Sequence, residues 1–157
     1  MSNCLFEFCD FENSEHLDAL ISLLGHYMED PMGNHAPFTK QEQLCLVKGL
    51  ASHPKAFVMF ARKNNGYFGL MTCFELFSTF QAKPYLYIHD VVIHKDYRGK
   101  GLGRKMMEQL VTYSKDKNYC KITLEVRSDN PVAQNLYQSL GFKACKPDMY
   151  FRTKQLI

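Results

Sequence analysis

The chain has 157 residues, of which 46% are hydrophobic and 22% are charged, and its formal net charge is +3. These values are typical of an ordinary globular protein with one core, and they exclude a disordered or fibrous chain. Lys and Arg are interspersed with Asp and Glu, so we expect no nucleic-acid partner and interpret any basic site as local.

Six cysteines lie at irregular spacings with no C-x-x-C pair. No signal-like or membrane-spanning apolar stretch is present, so the sequence predicts reduced thiols, a cytoplasmic protein and no membrane partner. We interpret the cysteines as buried structural residues rather than catalytic groups or metal ligands. No spacing of His, Asp or Glu resembles a metal site, so we expect no metal.

The first third of the chain predicts a strand followed by two helices. The stretch 4–11 is short and rich in aromatic residues, which predicts a strand. An apolar stripe at helical spacing follows and predicts a helix with Ser14 as its candidate cap. Residues 28–38 contain two prolines and a glycine and are predicted to form a loop. Thr39 and Glu42 then form a capping-box pattern that predicts the second helix.

A strand pattern begins after Pro54. Residues 56–63 and 67–77 flank Asn64-Asn65-Gly66, which is typical of a tight hairpin, and residues 85–93 form the next predicted strand.

Helix and strand then alternate to the end of the chain. The pattern predicts a helix from about Gly101 to Lys117, a strand at 121–126, a short helix opened by Asn130-Pro131 and a last strand at 149–151. This order indicates one α/β (α+β) domain over residues 1–157, with a mixed central sheet flanked by helices.

The segment Arg98-Gly99-Lys100-Gly101-Leu102-Gly103 joins a strand directly to a helix. Glycines let a backbone approach an anion closely, a helix N-terminus offers free N–H groups, and Arg98 and Lys100 add charge. A P-loop is disfavoured because no Ser or Thr follows the Gly-Lys pair. A Rossmann fold is disfavoured because its glycine loop should lie early in a βαβ unit, with an acidic residue at the end of the following strand. On spacing alone, the glycines could also be simple turn residues.

The pattern Arg98-x-x-Gly101-x-Gly103 after an apolar strand resembles the acyl-CoA pyrophosphate loop of the GNAT superfamily of N-acetyltransferases. KITLEV and DNPVAQNLYQSLGF also resemble the strand and helix that follow in that family. The resemblance is specific over residues 85–142 and extends through the order of elements to the whole chain. It implies a GNAT-like acyl-CoA N-acyltransferase fold with acetyl-CoA as co-substrate.

The resemblance also implies which residues hold the cofactor. The strand backbone would bind the pantetheine arm, the glycine loop the pyrophosphate, and the helix after Asn130 the far wall of the cleft. These positions are Val91, Val92, Ile93, Arg98, Gly99, Lys100, Gly101, Leu102, Gly103, Asn130, Ala133 and Tyr137.

The resemblance implies direct attack by a primary amine of a small-molecule acceptor that is polyamine-, amino-sugar- or amino-acid-like. This chemistry needs a base, and where relatives carry Glu-Asp this chain has His89-Asp90. Neutral His89 can accept a proton but cannot attract a cation, so it is either the base or orienting group, or a structural histidine. Asp90 either steers a cation or holds a loop. Neighbouring strand residues face opposite sides unless a bulge intervenes, so we expect His89 and Asp90 not to share the acceptor.

Tyr137 is the residue that the resemblance assigns as the acid for the leaving thiolate, and packing within its helix is the alternative. A phenol suits this role because its ordinary pKa is near about 10. A backbone N–H near Val92 would polarise the thioester carbonyl. Cys73 and Cys120 have no evident partner base, so an acetyl-enzyme is disfavoured.

The expected acceptor walls are the loop at 29–38 and the stretch at 74–80. Glu75, Asp90 and Glu125 either form an acidic pocket or are solvated. Dimers are frequent in the superfamily, and the aromatic stretch at 77–85 is a candidate homodimer interface. Two other functions stay open, a non-catalytic acyl-CoA-binding regulatory module and a protein or peptide N-acetyltransferase.

Overall fold

The computed structural model describes residues 4–33, 35–64 and 66–157, and the contacts within the chain divide it into two units. The first unit ends at Glu125 and the second begins at Val126. One domain over residues 1–157 stays a prediction. Within the described ranges, no helix is long and apolar enough to cross a membrane.

The first unit is built on a mixed five-stranded sheet, which confirms the predicted fold class. The strands lie in the order β1-β2-β3-β4-β5, with antiparallel pairing up to β4 and with β5 parallel to β4. Their bounds are β1 Cys4–Phe8, β2 Ala56–Lys63, β3 Gly66–Ser78, β4 Lys83–Ile93 and β5 Ile122–Leu124. The tight β2–β3 connection is as predicted, although the conformation of Asn65 lies outside the described residues.

The helices of this unit are α1 Ser14–Glu29, α2 Lys40–Ser52 and α3 Leu102–Asp116, and a 3-10 turn spans Lys95–Tyr97. The capping box of Thr39 and Glu42 is confirmed. The predicted cap Ser14 is wrong by one residue, because the side chain of Asn13 accepts the first-turn N–H of Glu15. An amide oxygen caps a helix as well as a serine hydroxyl does.

The two faces of the sheet are covered by different helices. Helices α1 and α2 pack on one face through Leu20, Leu23, Leu50, Phe60, Leu70 and Val92. The neighbouring position on β3, Gly69, faces the other way, and a Cβ added there would lie 2.6 Å from the Sδ atom of Met106 in α3. Glycine at position 69 therefore lets α3 approach the sheet closely.

The second unit contains helix α4, Pro131–Ser139, which begins at its Asn130 cap as predicted. Gly141 follows the helix with a φ of 89°, which glycine adopts without strain. The predicted last strand at 149–151 is wrong, because these residues are irregular and their side chains are exposed. A strand needs a paired neighbour, and no strand is described in the second unit.

Candidate functional site

A β-bulge interrupts β4 at His89. Thr72 of β3 pairs with Asp90 and Cys73 pairs with Ile88, so His89 is an extra residue without a partner in the ladder. Pairing between β4 and β5 ends at Ile88 as well. The strand therefore bends and leaves β5 at the same point, which is typical of bulges beside functional sites.

The bulge brings His89 and Asp90 together. The Nδ1 atom of His89 lies 3.1 Å from Oδ2 of Asp90, and the His89 side chain is 57% exposed while that of Asp90 is 18% exposed. The expectation that these residues face opposite sides is wrong, because the extra residue changes the alternation of the strand. The hydrogen bond to Asp90 raises the pKa of His89 above 6.5, with burial opposing and Glu125 adding to the rise.

Two aromatic rings and a second carboxylate surround this pair. The rings of Phe74 and Tyr87 each lie 6.0 Å from the His89 ring, and the Tyr87 hydroxyl donates to Oε1 of Glu125 at 3.1 Å. Burial, followed by the negative charge of Glu125, raises the pKa of Tyr87. Sequence reasoning missed Tyr87, although the spacing of two residues between Tyr87 and His89 places both side chains on one face of a strand and was a usable signal.

Beyond the bulge, the outer edge of β4 is open. The N–H of His94 donates to the carbonyl of Phe68 at 2.8 Å, which sets the alternation of the antiparallel ladder. By that alternation Val92 exchanges its hydrogen bonds with β3, whereas the N–H and C=O groups of Val91 and Ile93 point to the opposite edge. The amide of Val92 itself faces β3. The N–H that we expect to polarise the thioester carbonyl would therefore belong to a neighbour of Val92, either Val91 or Ile93.

The loop between β4 and α3 leads into a helix whose N-terminus has no side-chain cap. Gly99 and Gly101 both have a φ of 72°, and apart from the glycine and its two chain neighbours no described heavy atom lies within 4 Å of the Cβ position at either residue. Gly101 occupies the N-cap without a side-chain hydrogen bond, and the first turn of α3 contains no acidic residue. The amides of Leu102, Gly103 and the residue after them are thus a ready site for an anion.

The two basic side chains of the loop bind within the protein. Arg98 donates from Nε to the carbonyl of Ile93 at 2.9 Å and from Nη1 to Oδ2 of Asp30 at 2.7 Å. Lys100 donates to the carbonyl of Asp96 at 2.7 Å. Since Arg98 and Lys100 are engaged in this way, the groups that the segment 98–103 offers to an anion are mainly backbone N–H groups.

In the second unit, the expected cofactor residues of α4 bind one another. The Oδ1 atom of Asn130 accepts the N–H of Ala133 at 3.1 Å and so caps the helix. Tyr137 is buried, with its ring 5.9 Å from that of Phe142. Both the packing and the acid interpretations of Tyr137 fit this local arrangement.

Other candidate residues have different partners. Glu75 binds Lys55 and accepts a hydrogen bond from Tyr119, so its charge is already balanced. Burial raises the pKa of the Cys73 thiol, which opposes its use as a nucleophile. Among the residues that the structure describes, no group of three or more His, Cys, Asp or Glu could hold a metal ion.

The segments 29–38 and 74–80 are the expected walls of the acceptor site, and only part of them lies near the bulge. Phe74 contacts His89, whereas Phe77 and Phe80 are exposed at the β3–β4 connection. In the loop at 29–38, Asp30 binds the glycine loop through Arg98 and His35 is exposed.

Known proteins resemble this chain in sequence and in fold. The profile of the Acetyltransferase (GNAT) family matches residues 17–142. An uncharacterized N-acetyltransferase of Archaeoglobus fulgidus is 30% identical over 125 residues, which cover 78% of this chain and 85% of that protein. The L-amino acid N-acyltransferase MnaT of Escherichia coli is 39% identical over 54 residues, which cover 34% of this chain and 31% of that enzyme. The structure of a GNAT family acetyltransferase from Staphylococcus aureus has a TM-score of 0.75 at 24% identity and covers 99% of this chain and 100% of that chain.

Proposed function

The chain belongs to the acetyltransferase (GNAT) family of N-acetyltransferases, and from this membership we propose that it acetylates a primary amine of a small-molecule acceptor by direct attack. We further propose that the acceptor is polyamine-, amino-sugar- or amino-acid-like. The observation that carries the proposal is the bulge, which places the His89–Asp90 pair at the start of the open edge of β4.

The cofactor of this family, acetyl-CoA, suits the groups on the first unit. The N–H groups of Val91 and Ile93 and the C=O group of Val91, which point to the open edge of β4, would hold an extended amide-containing arm as an added strand does. The uncapped first turn of α3 and the glycines before it would hold phosphate oxygens. Acetyl-CoA supplies the activated acetyl thioester, and the chain supplies orientation and proton transfer.

His89 is the proposed general base. If Nδ1 donates to Asp90, the other ring nitrogen, Nε2, keeps a lone pair that can accept the proton of the amine. Asp90 holds the ring in this tautomer and stabilises the imidazolium that forms, so the pair works as an oriented base. The wide exposure of His89 leaves it accessible to an acceptor from solution.

The remaining proton and charge are assigned to two other groups. An N–H on the open edge of β4, at Val91 or Ile93, would polarise the thioester carbonyl as an oxyanion hole does. Tyr137 is proposed to hold the proton that the departing thiolate needs, on the strength of its match to the family motif. A phenol that remains protonated at neutral pH is suited to that step.

The acceptor class follows from the charges at the bulge. Asp90 lies on β4 and Glu125 directly follows β5, and the rings of Phe74 and Tyr87 lie beside His89. Carboxylates and aromatic rings both favour a cationic amine. The relative that acts on an L-amino acid, by its name, supports an acceptor of this size.

Location and assembly belong to the same proposal. All six cysteines are free thiols, which agrees with a cytoplasmic protein. Phe77 and Phe80 are largely exposed and remain the candidate surface for a homodimer. The proposal involves no nucleic acid or membrane.

Thiol release from acetyl-CoA tests this function directly. Wild type would be assayed with polyamines, amino sugars, amino acids and short peptides, together with Tyr137→Phe and, as a matched control, Tyr150→Phe at an exposed position of the same unit. We expect release with one amine class, a large loss in Tyr137→Phe and none in Tyr150→Phe. Release with peptides alone would favour a peptide acetyltransferase, and a thermal shift with acetyl-CoA but no release would favour a binding module.

A further inference from the structure

The end of α1 is joined to the β4–α3 loop through two residues, His26 in the last turn and Asp30 at the C-cap. The Nε2 atom of His26 accepts the backbone N–H of Lys95 at 3.2 Å. The His26 ring also stacks on the ring of His94, with centroids 4.3 Å apart and planes 21° from parallel. One side chain of α1 thus fixes both the end of β4 and the start of the loop.

The second contact is made through Asp30, the C-cap of α1. Its Oδ2 atom accepts from Nη1 of Arg98 at 2.7 Å, while Nε of Arg98 binds the carbonyl of Ile93 at 2.9 Å. Its other oxygen, Oδ1, accepts the N–H of Met32 at 3.0 Å. The hydrogen bond from Met32, followed by that from Arg98, lowers the pKa of Asp30, so this carboxylate is ionised at neutral pH.

A 3-10 turn at Lys95–Tyr97 and the hydrogen bond from Lys100 to Asp96 order part of the loop, but its two glycines leave the backbone of the remaining part free to adopt other conformations. Gly99 and Gly101 are free of side chains and sit in the left-handed region, where other conformations are equally open to glycine. A loop that must be ordered when a ligand binds lowers the affinity by the entropy that is lost. Contacts that order it beforehand therefore raise the affinity.

We propose that His26 and Asp30 are positioning residues that hold the β4–α3 loop in its phosphate-binding conformation, so that α1 contributes to acetyl-CoA affinity without touching the cofactor. The inference rests on the proposed function, since it takes the loop as the pyrophosphate site. In this arrangement Arg98 serves the loop through Asp30 and Ile93 rather than as a free cation.

The hydrogen bond between His26 and the backbone N–H of Lys95 also makes the affinity for acetyl-CoA sensitive to pH. His26 accepts an N–H at Nε2, so that nitrogen must be unprotonated. The groups that face His26 are His94, Lys95, Arg98 and Asp30; burial, followed by His94 and the two cations, lowers the pKa of His26, and Asp30 opposes them. The contact is therefore intact at neutral pH and is lost as the pH falls through this lowered pKa.

Calorimetric titration of the full chain with CoA tests the role of Asp30. We expect Asp30→Asn to raise the Kd for CoA about fivefold, the range of a partly exposed ion pair with good geometry. The matched control is Asp18→Asn, which removes the same charge from an exposed position of α1 and should leave the Kd unchanged. In steady-state assays the KM for acetyl-CoA should rise in Asp30→Asn while kcat at saturation stays the same.

A double-mutant cycle separates positioning from direct phosphate binding by Arg98. If Arg98 acts through Asp30, then Arg98→Gln weakens CoA binding in wild type but has little further effect in Asp30→Asn. Equal losses in both backgrounds would mean that Arg98 acts independently of Asp30, and would overturn this part of the proposal.

His26→Gln tests the other contact in a form that a general loss of stability would not mimic. Glutamine keeps an acceptor of similar reach but does not titrate, so CoA affinity should fall less on acidification than it does in wild type. Comparing the two proteins cancels the titration of CoA itself. Identical pH profiles for the two proteins, or an Asp30→Asn variant with wild-type Kd, would overturn the positioning role. Failure of the wild type to bind CoA would instead refute the assignment of the loop and, with it, the proposed function.

Discussion

The two halves of β4 show how one strand serves structure and chemistry. Before the bulge, residues 83–88 pair with β3, and Leu86 to Ile88 also pair with β5, so the central part of this half is held on both edges. After the bulge, residues 90–93 pair with β3 and present an open second edge. The single inserted residue, His89, separates the halves. The bulge therefore separates a strand half that is paired on both sides from a half with one open edge, without ending the sheet.

The largest expected effect lies in the closed half. Leu86 is fully buried, so Leu86→Ala should lower the free energy of unfolding by about 3 kcal/mol through lost burial and a cavity. Chemical denaturation would measure this loss. The matched control is Leu44→Ala, since Leu44 is 67% exposed in α2 and its truncation should change stability little. A small effect at Leu86 would mean that the closed half does not hold the sheet together.

In the bulge itself, His89→Gln should lower kcat/KM about 100-fold, the usual range for loss of a general base. Its side chain is largely exposed, so the unfolding transition should not move. Steady-state kinetics and thermal denaturation of the same sample separate the two effects. Wild-type activity in the variant would identify His89 as a structural residue of the bulge.

A smaller effect is expected in the loop that follows the open half of β4. Gly101→Ala places a Cβ on a residue with a φ of 72° and should cost about 1 kcal/mol of stability while weakening CoA binding. Gly49→Ala is the matched control, because Gly49 is exposed inside α2 with open space around it and the substitution should stabilise by up to about 1 kcal/mol. If Gly101→Ala and Gly49→Ala both raised the stability, the loop conformation would not require glycine.

The smallest expected effect is a shift of the pH profile. The proposed base His89 would act when neutral, so we expect activity above its raised pKa and a loss of activity as the pH falls through that value. Asp90→Asn removes the main cause of the rise, so the acid limb of kcat/KM should move to lower pH. An unchanged limb would mean that another group sets it.

Local patterns predicted most elements well. The capping box of Thr39 and Glu42, the strand Ala56–Lys63 and the Asn130 cap all depend on neighbouring residues, and the structure has them as predicted. The strand at 149–151 was predicted from its composition but is irregular, because pairing depends on a partner that composition does not reveal.

The site was predicted unevenly for the same reason. The glycine loop could be proposed as an anion site from the sequence because its glycines and basic residues are consecutive. The contacts of Asp30 and His26 with this loop were missed, because they join positions 68 and 69 residues apart. Tyr87 and Glu125 were likewise brought together by pairing of β4 with β5.

Sequence pattern was thus sufficient for the fold class, the capping box of Thr39 and the Asn130 cap, since each depends on periodicity or on a few neighbouring residues. It also indicated the glycine loop, whose part in anion binding stays a prediction. The bulge at His89, the orientation of that ring by Asp90 and the attachment of α1 to the loop depended on packing across the sheet. Register and long-range contacts arise from the simultaneous fit of many side chains, which no local window contains.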